Sequence, residues 1–274
     1  MFALALVTSQ TGSILAPSQE YRQIGQRLPL MFIWLWVHLL VENVANQRLP
    51  EAVVEDRENK PWRPIPAGRL SPREAMTVLR IAVPLALGIS LILGSFVPSV
   101  TLMAFIWLYN DLDGSSTGTM QRNMITTAGL CCFGWGSVMT LLAGDISKEG
   151  ERLLYKWMAL TAAVLTTTVQ AQDFPDIAGD IARGRQTIPL LYGSSFSRGS
   201  LAVLTTVWGA VLPAFWNASF WGWWTPTCIG GAMSVLTLLR WDPSTNEKVW
   251  RLWCLWITAI YLLPLFSDTP TCDV

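Results

Sequence analysis

Asp173, Asp176 and Asp180 stand at D-x-x-D-x-x-x-D spacing immediately after an apolar run. Residues three and four apart share a helix face, so the spacing predicts three carboxylates aimed from one side of one helix at a common spot. Three negative charges at the end of a membrane-type helix are costly unless a cation neutralises them. Carboxylate oxygens are the hard ligands that Mg²⁺ takes. Arg185 follows closely in Gly184-Arg185-Gln186-Thr187-Ile188-Pro189 and adds a guanidinium able to grip phosphate oxygens in pairs. The plainer alternative is a solvated acidic helix end with Asp173 as its cap.

An earlier stretch carries a complementary set. It reads Asn43-Val44-Ala45-Asn46-Gln47-Arg48-Leu49-Pro50-Glu51, then Glu55-Asp56-Arg57-Glu58-Asn59-Lys60-Pro61-Trp62-Arg63-Pro64. Here acids and an amide precede a proline-punctuated loop bearing Lys60, Arg63 and Arg69. A metal together with a cationic loop is how a diphosphate is held: the metal bridges oxygens, and Lys and Arg neutralise the rest. A charged loop that only sets membrane orientation is the alternative.

Both groups need a frame, and composition says which kind. Of the 274 residues 51% are hydrophobic and 14% charged, against the ~25% charged of ordinary soluble domains. Such a chain cannot present a normal solvated surface, so it reads as an integral membrane protein in contact with a lipid bilayer. The formal net charge is zero, so no nucleic-acid partner is expected. Helix-length apolar runs predict an all-α, multi-pass transmembrane bundle of about nine spans: 2–16, 28–48, 74–93, 96–111, 122–143, 153–172, 199–216, 219–239 and 247–266. The first is short, as though it began part-way through a helix.

Loop charge orients the spans. Arg48, Arg57, Lys60, Arg63, Arg69, Arg73, Arg122, Arg183, Arg185, Arg198, Arg240, Lys248 and Arg251 follow even-numbered spans, against Arg22, Arg27, Lys148, Arg152 and Lys156 on the other side. The richer side is cytosolic by the positive-inside rule, which puts both acidic segments there. Trp34, Trp36, Trp107, Trp208, Trp216, Trp221, Trp223, Trp224, Trp250, Trp253 and Trp256 fall near span ends, as an interfacial belt would, or as a cavity lining that steadies a cation. The lone histidine, His38, makes a His-rich metal site impossible and a Ser-His-Asp triad improbable. Its bland role is a hydrogen bond between helices. Asn110 and Asp111, ending the fourth span, either support the metal shell or cap a loop. The five cysteines fit no zinc spacing and read as packing residues.

With these motifs in view, the chain resembles the UbiA family of intramembrane prenyltransferases over nearly its whole length. Its N-Q-R-L-P, E-D, N-K-P-W-R-P-I-P and Y-N-D-L runs are most similar to a fungal branch that includes membrane-bound terpene cyclases. The resemblance implies one UbiA-like domain over 1–274, with helices around a central cavity capped on the cytosolic side. It gives Asp173, Asp176 and Asp180 the role of metal ligands and Arg185 that of a diphosphate contact. The first segment departs from the family's N-D-x-x-D-x-x-x-D, because Gln47 stands at the first acid position. Counting back from Asn59-Lys60-Pro61 makes Asn46, Glu55 and Asp56 the ligands, with Glu51 as a further candidate.

The activity expected is Mg²⁺-dependent ionisation and cyclisation of farnesyl or geranylgeranyl diphosphate. Asp173, Asp176, Asp180 and Asp56 would be the central acids, and Lys60, Arg63, Arg122 and Arg185 the diphosphate-binding bases. Transfer of the prenyl group to an aromatic acceptor is the alternative, and a transporter is a more distant one. The endoplasmic reticulum is the expected membrane. The motifs leave prenyl length and oligomeric state open.

Overall fold

The computed structural model describes residues 1–17 and 21–267; Cys272 lies outside them. Thirteen α-helices are present among the described residues, rather than nine. Part of the difference lies in the first expected span, which is broken into α1 (Phe2–Thr8) and α2 (Gly12–Leu15). The hydroxyls of Ser9 and Thr11 each bond the Leu6 carbonyl at 3.0 Å and take the acceptor a continuing helix would need. The rest comes from three helices outside the expected spans: α4 (Pro50–Asn59), α9 (Asp173–Arg183) and α10 (Ile188–Tyr192).

The long elements are α3 (Tyr21–Gln47), α5 (Pro72–Leu93), α6 (Phe96–Asn110), α7 (Thr119–Leu141), α8 (Lys148–Thr168), α11 (Ser194–Phe215), α12 (Phe220–Leu239) and α13 (Pro243–Tyr261). Their starts are written locally. Ser71 and Glu74 form a reciprocal capping box at α5, the Ser147 side chain accepts from Gly150 N–H at α8, and Asp242 accepts from Thr245 N–H at α13. Four helices, α3, α5, α7 and α11, are long and apolar enough to cross a membrane; α6 is apolar but shorter.

Polar contacts fix which ends lie together. At one end Arg27 of α3 donates from Nε to the Thr140 carbonyl at 2.6 Å and from Nη2 to the Leu93 carbonyl at 3.0 Å. It thereby serves carbonyls in the closing turns of α7 and α5. At the opposite end Arg48, just past α3, pairs with Asp111, just past α6. Every acid and base of the candidate site belongs to this second end.

One core cluster gathers α3, α5, α6 and part of α7 around Trp34. The Trp34 indole N–H is shared between Ser90 Oγ and Ser99 Oγ at 3.0 Å each, so a polar group deep in an apolar setting is satisfied. Its ring occupies the space above Gly136, where any Cβ would overlap it. Gly136→Ala is therefore expected to destabilise the bundle by about 1–3 kcal/mol through overpacking. Loss of thermal stability in detergent, partly restored by Trp34→Phe, would check this.

The tryptophans divide between two roles. Trp36, Trp107, Trp221, Trp223 and Trp224 face outward, while Trp34, Trp216, Trp253 and Trp256 are core residues. Only the first group suits an interfacial belt.

Candidate active site

The α8 helix does not run straight into the acids. At Val169–Gln172 it tightens into a 3₁₀ turn, and α9 departs from there. Neighbouring helices hold the junction. Trp208 Nε1 donates to Thr167 Oγ1 and Trp253 Nε1 to Thr168 Oγ1, both at 3.0 Å, while Gln170 Nε2 reaches the Ser197 carbonyl and Ser200 Oγ. The direction in which α9 starts is thus set by residues far along the chain.

The α4 helix docks against α9 through Asn59. Its Nδ2 donates to the Asp176 carbonyl at 3.0 Å, and its Oδ1 accepts from Gly179 N–H at 2.9 Å. The approach is close enough that a Cβ on residue 179 would overlap Asn59 and lie 2.8 Å from the Glu55 carbonyl oxygen. Glycine is what lets the two backbones meet. Proline at the first position of α4, Glu51 in its first turn and Arg57 in its last all favour the helix that carries Asn59.

Acids and bases alternate over the surface so formed. Asp173 pairs with Arg122 at the start of α7 (2.8 Å), Asp176 with Lys60 (2.8 Å) and Asp180 with Arg185 (3.3 Å). Arg185 also reaches Glu55 (3.0 Å), whose other oxygen takes Arg183 (2.9 Å), and Arg63 holds both oxygens of Asp56. Arg183 further donates to Ser115 Oγ in the α6–α7 loop, so three segments meet at one guanidinium.

The spacing had predicted one shared spot for the three aspartates. Among the described residues no group of three acids closes on a single point. The physical reason is that each carboxylate is drawn to its own basic neighbour. Charges as buried as those of Asp173 and Asp180 must be neutralised, and guanidinium groups do so here. Asp173 Oδ2 and Asp180 Oδ2 are nevertheless buried with no hydrogen-bond partner among the described residues. Acceptor-only oxygens in that position suit a hard cation.

Electrostatics separate the acids. Burial raises the Asp180 carboxyl to about 7, against the opposing pull of Arg122 and Arg185. Burial likewise raises Asp173, opposed chiefly by Arg122. At Glu55 burial also pushes upward, but Arg185 and Arg183 outweigh it and hold the carboxyl below its usual range. A raised carboxyl is ionised only above its pKa, and a cation bound to it competes with the proton. Divalent-cation binding is therefore expected to weaken as pH falls through about 7. Mn²⁺ titrations on either side of that pH check this, and Asp180→Asn should flatten the dependence.

Most of the residues expected from sequence meet on this surface: Glu55, Asp56, Lys60, Arg63, Arg122, Asp173, Asp176, Asp180 and Arg185. Asn46, half-buried at the end of α3, takes no part in the hydrogen bonds joining α4 to α9, and Glu51 is exposed. Asp111 is engaged with Arg48, and Asn110 donates to the Ile106 carbonyl of its own helix. His38 is wholly buried, with Nδ1 at 2.7 Å from the Trp34 carbonyl and its ring stacked on Trp34. Arg183 and Asn59 had been read only as orientation charge and loop sequence. Arg183 falls three residues after Asp180, on the same helix face, and that spacing was a usable signal.

A pocket of about 200 Å³, with the exposed Met1 and Leu130 in its wall, lies farther along the bundle. It is walled by α1, α3 and α7, with Thr161 and Tyr261 completing it. Its lining is mainly apolar, and none of it belongs to the acid–base surface. On α7 it spans Leu130 to Ser137, beginning two turns or more beyond Arg122, which is about 12 Å along the axis.

The model of the UbiA prenyltransferase family matches residues 5–260. Among curated relatives, a fumagillin beta-trans-bergamotene synthase of Aspergillus fumigatus is 34% identical over 186 residues, covering 68% of this chain and 62% of that protein. The chain thus spans less than two thirds of that relative's length. A somaliensene A/B synthase of Streptomyces somaliensis is 27% identical over 258 residues, covering 87% of this chain and 78% of the relative. Among solved structures, a UbiA homolog from Archaeoglobus fulgidus bound to DMAPP and Mg²⁺ superposes with a TM-score of 0.61 at 13% identity, over 98% of this chain and 94% of that one. At that identity the likeness establishes the fold.

Proposed function

The chain belongs to the UbiA prenyltransferase family, and on that footing we propose that it is a Mg²⁺-dependent, integral-membrane terpene cyclase. Its substrate is a prenyl diphosphate, farnesyl or geranylgeranyl, and its products are a cyclic hydrocarbon and inorganic diphosphate. The observation that carries the reading is the acid–base surface of α4, α7 and α9 at one end of an apolar bundle. The terpene synthases among its relatives support it, as does the Mg²⁺ and DMAPP bound by the Archaeoglobus homolog.

Asp173, Asp176 and Asp180, faced by Glu55 and Asp56, are the residues that would hold Mg²⁺. When bound, the metal supplies Lewis-acid charge to the diphosphate oxygens. Lys60, Arg63, Arg122 and Arg185 exchange carboxylate partners for diphosphate oxygens and so stabilise the charge that grows as the C1–O bond breaks. Both bonding electrons leave with the bridging oxygen, giving inorganic diphosphate and an allylic cation. A double bond farther along the same chain attacks C1 and closes the ring. The proton then lost from the cyclised cation passes to the released diphosphate. The apolar bundle excludes the water that would otherwise trap the cation. We place the site at the cytosolic face of the endoplasmic reticulum, on the loop-charge asymmetry, and read 1–274 as one domain.

The deciding assay supplies microsomes carrying the protein with farnesyl or geranylgeranyl diphosphate and Mg²⁺, and no acceptor. Cyclic hydrocarbon with equimolar inorganic diphosphate is expected. Substrate consumed only after an aromatic acceptor is added would make the protein a prenyltransferase instead.

A further inference from the structure

Arg198, on the first turns of α11, is 2% exposed, and its three hydrogen-bond acceptors are all uncharged. Nη2 donates to Asn246 Oδ1 of α13 at 2.6 Å, and Nη1 to the carbonyls of Thr237 and Arg240 at 3.3 and 3.4 Å, where α12 ends. The guanidinium lies over the ring of Phe174, 4.6 Å from its centroid, with Trp241 at 5.4 Å. Asp242, nearby in sequence, is committed to capping α13 through Ser244 and Thr245. The charge is therefore held by helix-end carbonyls and aromatic faces, with the Asp242 carboxylate acting on it at longer range.

Phe174 stands between Asp173 and Asp176, and it is held at two points. Arg198 seats its ring, and Asn246 Nδ2 donates to its carbonyl at 3.2 Å. Residues on a helix advance by about 100° each, so gripping one side chain and its carbonyl fixes the rotation of the helix about its axis. That rotation decides where the three aspartates of α9 point.

We propose that Arg198 is a positioning residue for the acidic face of α9, acting through the Phe174 ring and, by way of Asn246, the Phe174 carbonyl. It rests on the reading of α9 as the metal-binding element, though the clamp itself can be tested without metal. Arg198→Met keeps the apolar stem and removes the charge and the donors. Arg198→Lys keeps the charge without the planar fork, and Phe174→Leu keeps apolar bulk without the ring.

In metal-free protein, hydrogen exchange of the peptide spanning α9 should quicken in Arg198→Met and Phe174→Leu, and less in Arg198→Lys, with α5 unchanged as an internal control. Mn²⁺ binding followed by electron paramagnetic resonance, with inorganic diphosphate present, should weaken by about 10-fold or more in Arg198→Met. The combined Arg198→Met/Phe174→Leu protein should be no worse than the poorer single variant. Unchanged α9 exchange in both single variants would overturn the clamp, whatever the enzyme does. Wild-type protein that binds no Mn²⁺ would instead overturn the proposed function, while exchange still decides the clamp. Should Arg198→Met fail to insert, Phe174→Leu and Arg198→Lys carry the same readouts.

Discussion

Asp176→Ala is expected to lower turnover by at least about 10³-fold while the protein still inserts and folds. The separation of those two effects follows from where the aspartate sits. Asp176 and its partner Lys60 keep side-chain exposures of 23% and 29%, so removing the carboxylate leaves an ammonium that water can reach. A pair this exposed contributes little to stability, about 1 kcal/mol or less. Asp173 is the opposite case, since it and Arg122 are both buried. Asp173→Ala would strand a buried guanidinium, at a cost of about 3–5 kcal/mol, and lost activity there would not distinguish chemistry from unfolding. Product release from farnesyl or geranylgeranyl diphosphate, measured beside the thermal midpoint, separates the two variants. Retained turnover in Asp176→Ala would remove the metal-site reading.

Gly179→Ala should reduce turnover by about 10²-fold without touching a charge, because displacement of a site by an ångström is enough to lose that much. The added methyl meets the Asn59 side chain and the Glu55 backbone oxygen, and backbone cannot swing aside as a side-chain tip can. α4 must then lift from α9, carrying Glu55, Asp56 and Lys60 away from the aspartates. Asn59→Ala removes the bridging amide but leaves room, so it should soften the effect of Gly179→Ala when the two are combined. Additive losses in the double variant would assign the clash to the Glu55 backbone oxygen rather than to the Asn59 side chain.

The two acidic segments differ in how far sequence revealed them. The aspartates of α9 were legible because D-x-x-D-x-x-x-D maps directly onto one helix face. The α4 segment fell between the expected spans, although Pro50, Glu51 and Arg57 are helix-start and helix-end signals that could have marked it. Glu55 and Asp56 both lie on the acid–base surface, but the division between them was not legible. Glu55 turns to α9 and Asp56 to Arg63, a choice made by docking rather than by local preference. The Asn59 clamp and the Arg198–Phe174 contact join residues more than twenty positions apart, and neither periodicity nor charge pattern carries such pairings. Trp34 illustrates the same limit inside the bundle. Its place near a span end suggested an interface, whereas the close approach of Gly136 and the hydroxyls of Ser90 and Ser99 seat it in the core.

The alternation of acids and bases also determines how the site looks from afar. Glu55, Asp56, Asp173, Asp176 and Asp180 match Lys60, Arg63, Arg122, Arg183 and Arg185 in number, so the surface is formally electroneutral before any ligand arrives. A neutral patch exerts almost no long-range pull on a free diphosphate and almost no push on a free cation. Its selectivity works at contact range, where ion pairs trade partners one for one. The visitor best matched to such an exchange carries both signs at once, as a metal–diphosphate complex does. Its anionic oxygens would face the five bases and its cation the five acids, so less charge would be left unpaired than if either bound alone.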